Sequence, residues 1–209
     1  MPASDISSLD LDAPISEFDW PGHSGPLRLR LYRSLASKPA LMVFFAPGGF
    51  VAPDLDEANN CLRVMADGCG VNILAPYYAE QPDRAFPAPV EDAHVVLTMA
   101  AKHRAKLASR SAKLFVGGCE AGGNLAAVSA LVCRDRLGPE LAGQVLIMPM
   151  LDASMGCGSM RCLRTTRSSS SWRRRPKRPT ACTCPTRPIG CTRTPARSTR
   201  GGWVTWLPR

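Results

Sequence analysis

Residues Gly117-Gly118-Cys119-Glu120-Ala121-Gly122-Gly123-Asn124 combine a chemically capable side chain with an unusual density of small neighbours. They follow the apolar run Lys113-Leu114-Phe115-Val116 and precede a helical pattern from Leu125 to Arg136. A strand, a tight turn lined by small residues and then a helix is the architecture of a nucleophile elbow. The turn residue of such an elbow is held in a strained backbone conformation, and large neighbours would collide there. The frame Gly118-Cys119-Glu120-Ala121-Gly122 puts Glu120 at the tip, with Gly118 and Gly122 as the residues that shape the turn. A carboxylate there has two readings. It can act as a nucleophile or base. Alternatively it sits over the helix start, where the dipole and unpaired amides favour a negative group by roughly 0.3–1 kcal/mol.

The other reactive residues offer little support for catalysis. The three histidines, His23, His94 and His103, all precede Glu120, and the acidic residues after it are Asp135, Glu140 and Asp152. His94 lies on an apolar helical stripe, which predicts packing or loop anchoring. His103 sits among Lys102, Arg104 and Lys106, which predicts a solvated face. Cys119 is expected to be buried beneath the turn and inert. Tyr77 and Tyr78 end a strand, where they could line a cleft but are expected in the core. Cys182-Thr183-Cys184 with Cys191 has neither a C-x-x-C pair nor a histidine, so no metal and no cofactor are expected.

The elements that position the turn follow from periodicity. Residues 1–26 read as an extended lead-in with turn signals at Pro21-Gly22 and Gly25-Pro26. Leu27-Arg28-Leu29-Arg30-Leu31-Tyr32 alternates as a half-buried strand. Leu41 to Ala46 is a continuous apolar run, which suits a strand covered on both faces. Leu55, Ala58, Leu62 and Met65 recur at helical spacing, with Gly68 or Gly70 as the stop. Val71 to Tyr78 is the next strand. A proline-rich loop, Gln81 to Pro89, leads to a helix on which Val90, His94, Leu97 and Ala101 share a face. Gln144 to Met150 is a further strand of the buried type. Strands and helices in alternation define an α/β class with a mostly parallel sheet. A sheet that stopped at this last strand would leave an unpaired apolar edge, prone to edge pairing or aggregation.

Composition changes abruptly after Asp152. Residues 1–152 hold all seventeen acidic residues and thirteen of the twenty-six basic ones, a net −4, whereas residues 153–209 carry +13. The first part is long enough to bury a core. The second has a serine run from Ser168 to Ser171, a basic run from Arg173 to Arg178 and recurrent prolines. Such a composition cannot offset the entropy of ordering, so a disordered basic tail is expected. Its charge would bind polyanions nonspecifically. Arg, Pro, Ser, Thr, Cys, Gly and Trp are also what a GC-rich gene yields out of frame, and the composition places a frame change between Cys157 and Arg167. An odd number of cysteines, nine, at irregular spacing argues for a reducing, cytoplasmic setting, with no membrane span expected.

Three segments of residues 1–152 together resemble the hormone-sensitive-lipase-like branch of the α/β-hydrolase fold. Phe45-Ala46-Pro47-Gly48-Gly49-Phe50 is similar to that branch's H-G-G-G loop. Phe86-Pro87-Ala88-Pro89-Val90-Glu91-Asp92-Ala93 is similar to its F-P-A-A-x-E-D-A segment, and Gly117 to Ala126 to its G-D-S-A-G-G-N-L-A turn. The resemblance implies the amino-terminal part of a carboxylic-ester hydrolase acting on small or acyl esters, with flanking helices on a mostly parallel sheet. It also implies oxyanion donors at the backbone N–H groups of Gly48, Gly49 and Ala121. The departures are specific. Ala46 replaces the histidine and Pro47, which has no N–H, replaces the first glycine. Glu120 replaces the serine, and no histidine follows it. The chain is therefore expected to be inactive in serine chemistry. Two alternatives stay open: a noncatalytic module for a small ester-like ligand, or a hydrolase that uses Glu120 as aspartate serves at this position in dehalogenases and epoxide hydrolases.

Overall fold

A computed structural model describes residues 6, 13–23, 25–51, 53–78 and 86–152. Alternating leucine and arginine build the strand Pro26–Tyr32, with Leu27, Leu29 and Leu31 fully buried on one side. It is the second strand, β2. The first, β1 (Ile15–Pro21), corrects the reading of residues 1–26 as a plain lead-in: it pairs antiparallel with β2 from Ile15↔Tyr32 to Pro21↔Pro26. Its buried positions include Ser16 as well as Phe18, and its outward positions include Glu17 and Asp19, so the apolar alternation is weak. The turn signals at Pro21-Gly22 and Gly25-Pro26 were the ends of this hairpin, closed by the Gly22 N–H donating to the Gly25 carbonyl at 2.8 Å.

The remaining elements are β3 (Ala40–Phe45), α1 (Leu55–Cys69), β4 (Val71–Pro76), α2 (Ala88–Lys102), the single turn α3 (Arg104–Leu107), β5 (Leu114–Cys119), α4 (Ala121–Asp135) and β6 (Gly143–Ile147). They form a six-stranded sheet in the order β1-β2-β4-β3-β5-β6. The pairs β3–β4, β3–β5 and β5–β6 are parallel, and β2–β4 is antiparallel. The fold is thus α/β with a mixed, mostly parallel sheet. β3 separates two cores. Leu41, Val43 and Phe45 pack with the buried residues of α2 and α4, while Met42, Phe44 and Ala46 pack with those of α1. An all-apolar central strand is what coverage on both faces requires.

Helix limits follow local chemistry. The Asp54 carboxylate accepts the Asp56 and Glu57 N–H groups at 3.0 and 2.9 Å and so starts α1. Gly70, at φ 64°, ends it. The buried face of α2 comprises Asp92, Ala93, Val96, Leu97, Met99 and Ala100. The expected stripe was rotated: of Val90, His94, Leu97 and Ala101, only Leu97 lies at its centre. β6 differs from the buried strand expected at Gln144–Met150. It ends at Ile147, and Val145 keeps 40% of its surface exposed at an edge that no other described strand covers.

Arg30, on the outward face of β2, gathers polar partners from β1, from α1 and from the residues just after β4. Its guanidinium reaches Glu17 Oε1 on β1 at 2.6 Å, Asp56 Oδ1 on α1 at 2.8 Å, the Tyr77 hydroxyl at 2.7 Å and the Leu55 carbonyl at 3.3 Å. Arg28 pairs with the same Glu17. This network ties the hairpin to the first turn of α1.

The end of α4 stores strain. The Gly138 N–H donates to the Cys133 carbonyl at 2.7 Å, closing the helix through Leu137, which takes φ 52° and is 94% exposed. A left-handed conformation costs a residue with a Cβ about 1 kcal/mol relative to glycine. Leu137→Gly is therefore expected to raise the unfolding free energy by about 1 kcal/mol, read from the shift in urea midpoint at unchanged slope.

Candidate active site

The turn between β5 and α4 stands where the sheet changes direction. β3 leads through α1 to β4 on one side, and β5 leads through α4 to β6 on the other. In open α/β sheets the crevice at the carboxyl ends of two such strands is where ligands bind. The pairing Phe45↔Gly118 sets the ends of β3 and β5 side by side, and this brings the Gly48-Gly49 segment next to Glu120.

Missing side chains make this approach feasible. A Cβ on Gly118 would lie 2.2 Å from the Gly122 carbonyl oxygen, and one on Gly122 would lie 2.1 Å from the Phe45 carbonyl oxygen. Gly123 faces Pro149 in the same way, with its would-be Cβ 3.0 Å from the proline Cα. Glu120 itself takes φ 54°, ψ −115° as the residue before α4. Such a conformation costs about 1–3 kcal/mol and persists only where its surroundings fix it. They do so here through three main-chain bonds: Glu120 N–H to the Ile147 carbonyl at 3.0 Å, and Asn124 and Met150 N–H to the Glu120 carbonyl at 3.2 and 3.0 Å. The Asn124 side chain adds a bond to the Met150 carbonyl at 2.8 Å. α4 starts at Ala121, four residues earlier than the apolar pattern suggested.

The Glu120 carboxylate is half-buried and accepts the Gly48 N–H through Oε2 at 3.3 Å. Gly49 and Phe50 both take positive φ, 60° and 62°, and the Val51 N–H returns to the Gly48 carbonyl at 2.9 Å. These values fit a turn of type I′, which directs the segment back over the sheet end. A Cβ on Gly49 would meet nothing within 4 Å, so this glycine borders open space. Ala121 is buried in the first turn of α4, where N–H groups have no intrahelical acceptor.

Two neighbours register the negative charge. Tyr78, buried, donates its hydroxyl to the Ala46 carbonyl at 2.7 Å and braces the base of the glycine turn. Burial, then the Glu120 carboxylate and Cys119, push its phenol well above the usual range. The Cys119 thiol is likewise pushed up, first by burial and then by Glu120 and Cys61, so it stays protonated. It is half-buried rather than fully covered. Tyr77 packs partly buried against the α1-side core, and its hydroxyl meets Arg30 at 2.7 Å.

The histidines are engaged elsewhere. His23 donates its main-chain N–H to Asp92 Oδ1 at 2.8 Å. The His94 ring lies beside Gly138, past the carboxyl end of α4 and thus roughly 20 Å from Glu120 by helix rise alone. His103 makes an edge contact with Trp20 at 5.3 Å between ring centroids, so it is not the purely solvated residue expected. Among the described residues no group of His, Cys, Asp and Glu could hold a metal, and no helix is long and apolar enough to cross a membrane. The proline-rich loop over 79–85 and everything after Asp152, including the serine and basic runs, lie outside the described residues. Sequence reasoning overlooked Asn124 and the Ile147–Met150 wall. The asparagine was within reach, since it stands in the quoted turn motif.

Residues 42–177 match the model of the alpha/beta hydrolase fold family, and the chain belongs to that family. The match runs past the compositional switch at Asp152. Esterases are among its relatives. Esterase LipI of Mycobacterium tuberculosis is 32% identical over 133 residues, 61% of this chain and 41% of that protein. Carboxylic ester hydrolase LipN of the same organism is 31% identical over 152 residues, 70% of this chain and 40% of that protein. An esterase from Pyrobaculum calidifontis superposes with a TM-score of 0.61 at 35% identity, covering 65% of this chain and 44% of its own. The chain thus spans 40–41% of the length of these two curated relatives.

Gly122→Ala forces a methyl group into the Phe45 carbonyl, main chain against main chain, with no flexible side chain to yield. It is expected to lower stability by about 3 kcal/mol or more, or to leave the protein insoluble. Gly49→Ala, whose Cβ would face open space, should cost only its backbone strain of about 1–2 kcal/mol. Thermal melts of the two variants side by side check this ordering.

Proposed function

We propose that this chain is a carboxylic-ester-hydrolase scaffold that holds a small ester-like ligand without turning it over by serine chemistry. The observation carrying this reading is the bond from the Gly48 N–H to Glu120 Oε2 at 3.3 Å. In ester hydrolysis, the N–H groups of Gly48, Gly49 and Ala121 would together stabilise the oxygen that becomes negative in the transition state. A resident carboxylate uses one of those donors and sets a like charge beside the developing one, which opposes the reaction. Gly118 and Gly122 keep the turn shape whatever side chain stands at its tip. The His94 ring, on the apolar stripe from which a base could have come, is a helix length from Glu120. Among the described residues Cys61, Cys69, Cys119 and Cys133 are free thiols, which supports a reducing cytoplasmic setting.

A second reading is a hydrolase in which the Glu120 carboxylate itself attacks. It draws support from the strained tip conformation and half-exposure of that residue. A p-nitrophenyl acetate assay on the native chain, Glu120→Ala and Glu120→Ser separates the two. The binding-module reading expects no turnover above buffer in any of them. It also expects Glu120→Ala to bind butyrate more tightly, because the Gly48 donor is released. Turnover by the native chain that vanishes in Glu120→Ala would overturn it in favour of the carboxylate enzyme.

We infer further that the change after Asp152 records a shift of reading frame between Cys157 and Arg167. Acidic residues stop at Asp152 while basic ones accumulate beyond it, and the shift is placed by composition alone. Translating the other two frames of the gene beyond codon 157 is expected to show further strands and helices with an aspartate and a histidine. Two frames without either would sink the inference.

A further inference from the structure

Cations are unevenly placed in the folded part. No acidic residue lies between Asp92 and Glu120, yet Lys102, Arg104, Lys106, Arg110 and Lys113 fall within that interval. The end of α2, α3 and the turn before β5 carry them toward the amino-terminal edge of the sheet, where Lys38 precedes β3. There Lys38, Ser109, Ser111, Lys113 and Phe115 border an open groove of about 310 Å³. Main-chain bonds fix its walls: the Leu41 N–H donates to the Lys113 carbonyl at 3.0 Å, and the Ala112 N–H to the Ser109 carbonyl at 3.0 Å. Lys38 and Lys113 are exposed, and neither makes an ion pair among the described residues. In a body whose net charge is −4 over residues 1–152, two ammonium groups on one groove, with no ion-pair partner among the described residues, are a local reversal of sign.

We propose that this groove binds a small phosphate monoester carrying a flat or apolar group. A phosphate dianion suits two ammonium groups, and its terminal oxygens suit the hydroxyl donors of Ser109 and Ser111. The half-buried ring of Phe115 offers a face for the organic part, as the polar-plus-apolar lining of small-molecule sites requires. The groove lies at the opposite end of β5 from Glu120, about 20 Å away by strand rise. It therefore stands independently of the ester-ligand reading.

Lysine acetylation of the full chain, read by peptide mass spectrometry with and without phenyl phosphate, tests the site. Phenyl phosphate is expected to slow acetylation of Lys38 and Lys113 while leaving Lys102 and Lys177 unchanged. The double variant Lys38→Ala, Lys113→Ala should weaken phenyl phosphate binding about tenfold or more by phosphorus NMR titration, with an unchanged melting temperature. Uniform slowing at all four lysines would show nonspecific attraction to a polycation and overturn the site. Protection by heparin alone would assign the surface to a polyanion and overturn it as well. Equal protection by inorganic phosphate at the same concentration would remove the role of Phe115 and overturn the organic part of the proposal.

Discussion

The main chain of α4 touches the main chain of β3, and the rest of the site depends on that contact. With a glycine at 122, the first helical turn settles against the Phe45 and Ala46 carbonyls; a single methyl group would hold it off. Gly118 allows the same intimacy from the strand side. Once the helix is this close, the connecting residue has no choice of dihedral angles, and Glu120 is driven to positive φ. The helix amides then point into the crevice between β3 and β5. Strain at one residue, held by main-chain bonds with Ile147, Asn124 and Met150, accompanies this close approach of helix and strand.

Around that contact the polar groups are arranged so that charge stays local. The Glu120 carboxylate has a main-chain donor in Gly48, and its neighbours Tyr78 and Cys119 are held neutral by burial and by its own charge. Tyr78 holds the start of the glycine turn, and Arg30 holds the helix to which that turn leads. The Asp56 arm of the Arg30 network is exposed and contributes little, whereas the Glu17 and Tyr77 arms are shielded and directional. The hairpin thus stabilises the turn indirectly, through α1.

Much of this was legible because the sheet repeats a simple rule. Leucine alternation gave β2, an unbroken apolar run gave β3, and Asp54 and Gly70 marked the ends of α1 through cap chemistry that is local in sequence. The failures have a common cause in tertiary pairing. β1 puts Ser16 on its buried side, and only the partner strand makes Ile15–Pro21 a strand at all. With β1 unseen, the Glu17–Arg30 pair was invisible, since it exists only through register. The face of α2 was misjudged because buried Asp92 and Met99 widen it beyond the apolar stripe. At the turn, glycines and tip were readable from spacing, but the wall at Ile147–Met150 comes from a residue stretch nearly thirty positions on.

The turn behaves as a socket rather than a keyed joint. Its shape is set by absent side chains at 118 and 122 and by main-chain partners, none of which involves the side chain at 120. Folding consequently registers what stands there only through the one side-chain bond from Gly48. A serine, a glutamate or an alanine would be presented at the same point with nearly the same backbone, so purifying pressure on stability protects the socket and leaves its occupant to drift. In a lineage built this way, chemistry can be lost, or replaced, by substitution at one position, long before the architecture records that anything has changed.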